Sequence, residues 1–192
     1  MTASQSATEP DRGLHVVPET AVTTPPAEVK ILNLVQGTIG RNPAVVKVAR
    51  GMSHFGDHSL GWVGIAAVGA LVDKPRRREW AGVAVGAFGA HAASVVIKRI
   101  VRRPRPNDPS VQVNVSTPGK LSFPSSHATS TTAAAVLLGR LTGLPLPAVL
   151  VPPMLLSRVV LGVHYPSDVL AGSALGAASA AVVLAAEKRL AK

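Results

Sequence analysis

Apolar residues come in blocks along this chain, and the polar residues collect in the gaps between them. Five blocks, roughly 55–72, 80–97, 127–142, 145–161 and 168–186, carry few charges and approach the ~20 residues a helix needs to cross a bilayer. Before them, from Val29 to Met52, apolar residues recur at helical spacing (Ile31, Leu32, Leu34, Val35, Ile39, then Val45, Val46, Val48, Ala49) between Lys30, Arg41, Lys47 and Arg50. That segment is too charged to span and predicts a helix or helix pair in the membrane interface, broken near Asn42-Pro43. Residues 1–28, rich in Thr, Pro, Ser and acidic residues, hold no apolar run of signal-peptide length and predict a disordered tail. The expected architecture is all-α: a polytopic membrane helical bundle of about five transmembrane helices plus an N-terminal interfacial helix, with residues 29–192 forming one membrane-embedded domain.

Composition agrees with this pattern. The chain is 47% hydrophobic and only 16% charged, greasier than a typical soluble domain. Its excess of Ala, Val, Leu and Gly over aromatics suits helices that approach closely, as do Gly172 and Gly176, four apart in the last block. Trp62 and Trp80, toward the ends of the first two blocks, are expected at the headgroup boundary. The net charge of +10 is spread between apolar blocks and not gathered on one face. Membrane lipids and a phosphorylated lipid substrate are therefore the expected partners, and nucleic acid is not. Without cysteine there is no disulfide framework, no thiolate nucleophile and no thiolate metal site.

Counting spans brings the polar inserts to one face. If the second block crosses the membrane, the 98–126 loop and the 162–167 connection share a side, with Asp73–Arg78, the Gly143-Leu144 turn and the C-terminus opposite. Three clusters meet there: Lys98 with Arg105-Pro106, then Pro124-Ser125-Ser126-His127, then Arg158 with His164 and Asp168. One lysine and two arginines around a point hold a phosphate dianion, and Ser125 and Ser126 stand where helix N-terminal amides favour an anion. One imidazole can then attack phosphorus in line while a second protonates the departing alkoxide. Asp168, four residues after His164 and just inside a helix opening at Pro166, is spaced to fix the tautomer of His164, which leaves His127 as the acid.

Lys-x6-Arg-Pro, Pro-Ser-x-His and Ser-Arg-x5-His-x3-Asp, in this order, resemble the three motifs of the type 2 phosphatidic acid phosphatase superfamily, the metal-independent lipid phosphatases related to vanadium haloperoxidases. The resemblance covers about residues 55–186. It implies a phosphohistidine at His164 supported by Asp168, proton donation by His127, and phosphate binding by Lys98, Arg105, Arg158, Ser125 and the Ser126 amide, with no cofactor and no metal. One departure stands out, since the family usually has glycine where this chain has Ser126. Altered substrate fit, not lost activity, is the expectation, and the serine hydroxyl offers one more hydrogen bond.

Other residues admit rival readings. His54, Asp57, His58 and Arg102 are candidate headgroup contacts, and equally polar residues of the interface; Arg99 and Arg103 are a basic guide or a solvated loop. His91 reads as a packed helix residue, and Arg76, Arg77 and Arg78 as topology determinants. Zinc held by His127, His164 and Asp168 is disfavoured because the surrounding cations would repel it. A non-catalytic lipid-phosphate scaffold or carrier would not need both histidines.

The Arg102–Pro106 turn and the His54–Ser59 segment are similar to small actinobacterial family members, which makes decaprenylphosphoryl-5-phosphoribose, of arabinan precursor synthesis, the leading substrate. Undecaprenyl or decaprenyl pyrophosphate, phosphatidylglycerophosphate and phosphatidic acid are the alternatives. With phosphate-binding cations set aside, the loop charges tip the multi-pass protein toward an extracytoplasmic site in the cell membrane.

Overall fold

The structure is a computed structural model that describes residues 26–190. Its helices are α1 Pro26–Gly37, α2 Pro43–Gly56, α3 Leu60–Val72, α4 Arg77–Val101, α5 Ser126–Thr142, α6 Leu146–Val160 and α7 Pro166–Leu190. Among the described residues no strand forms beyond one antiparallel bridge between Pro104 and Leu121. The five apolar blocks correspond to α3 through α7. Of the predicted tail, residues 1–25 lie outside the described residues, whereas Pro26, Ala27 and Glu28 belong to α1.

Among the described residues three stretches are long and apolar enough to cross a membrane, Pro43–Val72, Lys74–Val101 and Pro166–Leu190, and α6 is a shorter apolar helix. The first stretch begins inside the segment expected in the interface, Val29–Met52. The break expected at Asn42-Pro43 is present, with the Asn42 carboxamide accepting the Ala44 N–H at 2.9 Å, and α2 is joined to α3 by a kinked turn, Asp57–Ser59, in which His58 and Ser59 take left-handed backbone. By itself α3, with 13 residues and about 20 Å of rise, is shorter than a ~30 Å hydrocarbon core.

At the centre stands α5, buried over nearly its whole length by α4, α6 and α7. Its Ser130-Thr131-Thr132-Ala133-Ala134-Ala135 run permits this, because short side chains let neighbouring backbones come close. A Cβ on Gly172 of α7 would stand 2.6 Å from the Ser125 carbonyl and 3.2 Å from the Ala128 Cβ, so only glycine allows that approach. Hydroxyls inside the bundle find partners: Thr129 Oγ1 donates to the Ser125 carbonyl at 2.8 Å, and Thr132 pairs with Ser173 of α7 at 3.0 Å. Trp62 is not at the headgroup boundary. It is 5% exposed, packs with Ala66, Val83 and Leu138, and donates its indole N–H to Thr131 Oγ1 at 3.1 Å. Outward faces are apolar instead, with Val68, Leu71, Val85, Phe88, Val96, Leu170 and Val182 exposed, as helices in lipid require.

Candidate active site

The chain turns out of α4 at Arg102, whose left-handed backbone (φ 54°) caps the helix before Pro104. Lys98, in the last turn of α4, then gathers the returning loop, donating to the carbonyls of Ser122 at 2.9 Å and Pro124 at 2.7 Å. The loop enters α5 at Ser125, whose buried hydroxyl accepts the Ala128 N–H at 3.5 Å and whose own N–H donates to the Asp168 carbonyl at 3.0 Å. The starts of α5 and α7 are thereby stitched together.

Between α6 and α7 the connection Leu161–Tyr165 is held from several sides. Gly162 turns it with a positive φ of 69° where a side chain would strike the Gln112 carbonyl. The Gln36 carboxamide of α1 donates to the Val160 carbonyl at 3.1 Å, and Arg105 donates to the Val163 carbonyl at 2.7 Å. His164 is consequently fixed and almost wholly buried. Its Nε2 lies 3.2 Å from an Arg105 N–H and its Nδ1 lies 3.6 Å from Asp168 Oδ2. A guanidinium has no acceptor, so Arg105 requires Nε2 to carry a lone pair, and the ring proton therefore sits on Nδ1, facing Asp168. Burial, followed by the fields of Arg105, Arg158 and Lys98, holds His164 well below the ordinary imidazole range. Burial also brings Arg105 down to about 10, against the pull of Asp168, which leaves it a cation at neutral pH.

Asp168 is held on both oxygens. Oδ2 accepts the Tyr165 N–H at 2.8 Å, closing the first turn of α7, and Oδ1 accepts from Arg103 at 2.9 Å. Arg103 also bonds Ser167 Oγ at 2.6 Å, pairs with Glu28 of α1, and lies 4.1 Å over the Tyr165 ring. Glu28 in turn accepts the Ser167 N–H at 2.9 Å. Burial opposes charge on Glu28, but the bonds from Ser167 and Arg103 outweigh it and keep this carboxyl below its usual range. Arg103 is thus a buttress of the site and not a solvated loop residue. Its partners are 65 and 75 positions away in the chain, so no local spacing could have found them.

Arg158 is 1% exposed, donates one N–H to Ser53 Oγ of α2 at 2.7 Å, and keeps its buried Nε without a hydrogen-bond partner. An unsatisfied guanidinium N–H in such a place is a donor suited to an anion. His127, at the start of α5, has its Nε2 2.9 Å from the Ser53 carbonyl and 3.3 Å from Asp57 Oδ1. Asp57, whose side chain stays 42% exposed, thus pairs with His127, a contact that its reading as a headgroup residue does not include. His54 stays largely exposed with its Nδ1 3.5 Å from Asp57, and His58 stands 5.8 Å, ring to ring, from His91. Arg102 turns back to the Arg99 carbonyl at 3.1 Å. Ser126 places its hydroxyl 2.7 Å from Ser94 Oγ of α4, so the group that replaces the usual glycine proton is engaged between helices. The two histidines belong to separate pairs, His164 with Asp168 and His127 with Asp57, and among the described residues no three His, Asp or Glu side chains converge as a metal site.

An apolar cavity of about 530 Å³ runs along α5 from Thr131 to Leu138, walled by Met52 and Phe55 of α2, Trp62 of α3 and Met154 of α6. Met52 adjoins Ser53 in the chain, and Thr131 is one helical turn beyond His127, so two of the cavity's lining residues lie within a turn of residues of the polar cluster.

The PAP2 superfamily profile matches residues 79–192. A decaprenylphosphoryl-5-phosphoribose phosphatase of Mycobacterium tuberculosis is 58% identical over 163 residues, covering 85% of this chain and 92% of the relative. One from Mycolicibacterium smegmatis is 61% identical over 148 residues, covering 77% and 82%. Among solved structures, the transmembrane PAP2 type phosphatidylglycerolphosphate phosphatase of Bacillus subtilis superposes with a TM-score of 0.66 at 21% identity, over 86% of this chain and 88% of the other. Aquifex aeolicus LpxE superposes at 0.67 and 18% identity, over 81% and 93%. At those identities the two structures speak for the fold.

Proposed function

The chain belongs to the PAP2 superfamily and hydrolyses a lipid-linked phosphate, and from that premise we propose that it removes the 5-phosphate of decaprenylphosphoryl-5-phosphoribose through a phosphohistidine at His164. The observation that carries the residue assignment is the His164 ring itself. Its Nε2 lone pair lies beside the Arg105 guanidinium, and its protonated nitrogen faces Asp168.

Arg105 and Arg158, with Lys98 and the amides at the start of α5, hold the phosphate dianion. Nε2 of His164 attacks phosphorus, a P–N bond forms, and the bond from phosphorus to the ribose 5-oxygen breaks. His127 delivers its proton to that oxygen. Asp168 stabilises the N-phosphorylated imidazolium ring, and the 3.6 Å separation is one that tightens as positive charge develops. Water then attacks phosphorus and gives a proton to His127; the P–N bond breaks and inorganic phosphate leaves. The lipid tail lies along the apolar cavity beside α5, whose lining includes residues within a turn of the polar cluster. The substrate itself comes from the two mycobacterial relatives, whose similarity spans most of this chain.

Purified enzyme should release phosphate from decaprenylphosphoryl-5-phosphoribose in EDTA and prefer it over phosphatidylglycerophosphate, phosphatidic acid and decaprenyl pyrophosphate. His164→Ala should abolish release and acid-labile phosphoenzyme together. Turnover persisting in that variant would overturn the nucleophile, and a preference for another lipid would overturn the substrate.

The site faces the extracytoplasmic side in this reading. Support comes from Lys74, Arg76, Arg77, Arg78, Arg140, Lys188 and Arg189, which sit at the helix ends away from the site and read as a cytoplasmic set.

A further inference from the structure

His127 must arrive at the reaction carrying a proton, in a pocket that Arg158 shares. The elbow joining α2 to α3 meets both residues, and it lies upstream of the stretch that matches the superfamily. Ser53 bonds them jointly: its hydroxyl accepts from Arg158 at 2.7 Å, and its carbonyl stands 2.9 Å from His127 Nε2. Asp57 Oδ1 stands 3.3 Å from the same nitrogen and is, among the described residues, the carboxylate within ion-pair distance of His127. Gly56 makes the approach possible, since a Cβ there would come to 2.6 Å from His127 Cδ2. Immediately after Asp57 the backbone takes two left-handed residues in succession, His58 (φ 51°) and Ser59 (φ 66°), neither of them glycine. Conformations of that kind persist where surrounding structure holds them, and here the buried Ser59 hydroxyl is tied to the Ala87 carbonyl of α4 at 3.1 Å.

We propose that Ser53, Gly56 and Asp57 form a fourth site segment, in which Asp57 is the positioning residue that holds His127 as the proton donor to the leaving group. The inference rests on the phosphatase reading and on His127 as the acid. With Nε2–H directed at the Ser53 carbonyl and Asp57, the ring donates from Nδ1. The Nδ1–H bond breaks as the ester oxygen departs from phosphorus with its electron pair, the proton passes to that oxygen, and the imidazole keeps its Nε2–H between the Ser53 carbonyl and Asp57. When water later attacks the phosphohistidine, Nδ1 takes the proton back. An imidazolium beside Arg158 is costly without a neighbouring anion, and Asp57 supplies one. The site then contains two His–Asp pairs, with Asp168 serving the attacking ring and Asp57 the donating one.

The test separates proton donation from general damage through the leaving group. An alkoxide needs a proton to depart, whereas 4-nitrophenolate does not. The full chain is assayed with dodecyl phosphate and with 4-nitrophenyl phosphate, comparing kcat/KM, which covers only the steps through leaving-group departure. His127→Asn should lose about 10²- to 10⁴-fold on dodecyl phosphate and little on the aryl ester. Asp57→Asn should show the same selectivity at a loss of roughly tenfold or more, and so should Gly56→Ala, which displaces the His127 ring. Retained kcat/KM on the aryl ester shows that these variants fold. If His127→Asn is selective and Asp57→Asn loses both substrates equally, or loses neither, the positioning role of Asp57 is overturned while the acid stands. If His127→Asn itself affects both substrates equally, the acid assignment fails and this inference with it. Loss of both activities on His164→Ala alone bears on the nucleophile and leaves the leaving-group comparison intact.

Discussion

In the proposed mechanism His164 is a buried imidazole kept ready as a nucleophile. One nitrogen faces a donor-only guanidinium and the other an anion, so its tautomer is decided by neighbours and not by chance. Burial and three nearby cations disfavour its protonation, and the sign of the effect on rate follows. A nucleophile whose pKa is lowered remains a free base into mild acid, so kcat/KM should hold as pH falls through the ordinary imidazole value of about 6.5 and decline only below it. A pH profile of kcat/KM measures this directly; an acid limb at or above that value would show that the cations do not act on His164 as the geometry requires. Ser126 makes a contrasting point. The one more hydrogen bond that its hydroxyl offers is made to Ser94 of the closely packed α4.

Among elements, α5 and α7 set the precision of the site. Ser125 and Asp168 are linked through the backbone, and Gly172 lies one turn further along the same contact, against the Ser125 carbonyl. Any side chain at Gly172 must push α7 away from α5 and pull Asp168 from its register. Gly172→Leu should therefore destabilise the protein by about 1–3 kcal/mol and lower activity more than lipid-phosphate affinity. Thermal unfolding in detergent beside kcat and KM checks both parts; an unshifted Tm with normal kcat would mean the helices are free to part without consequence. α1 contributes at the same scale, since Glu28 reaches the N-terminus of α7 and the Arg103 that holds Asp168.

For the whole molecule, orientation matters most, because it decides from which side a phosphorylated headgroup arrives. The chain has no cysteine, so a single one reports cleanly. Ser116 is exposed on the loop above the site, whereas Ser110 is tied to Asn33 and Asp108. In intact cells Ser116→Cys should react with a membrane-impermeant maleimide. Reaction only after permeabilisation would place the site on the cytoplasmic side and reverse the orientation proposed above.

Periodicity and motif spacing carried much of this protein by themselves. Apolar blocks of near-span length must become helices, because a backbone in lipid has to satisfy its own hydrogen bonds, and α3 through α7 follow them. Lys98, Arg105, Ser125, His127, Arg158, His164 and Asp168 are readable as candidates because each motif sits within a few turns of one helix end, where spacing along the chain is also spacing in space. Tertiary structure alone decided the supports. Asp57 meets His127, Ser53 meets Arg158, and Arg103 joins Asp168 to Glu28, across separations that no local period encodes. The elbow between α2 and α3 belongs to that second class as well. Two successive left-handed residues, His58 and Ser59, carry it, and the bond that holds them, from Ser59 to the Ala87 carbonyl, joins positions 28 apart in the chain.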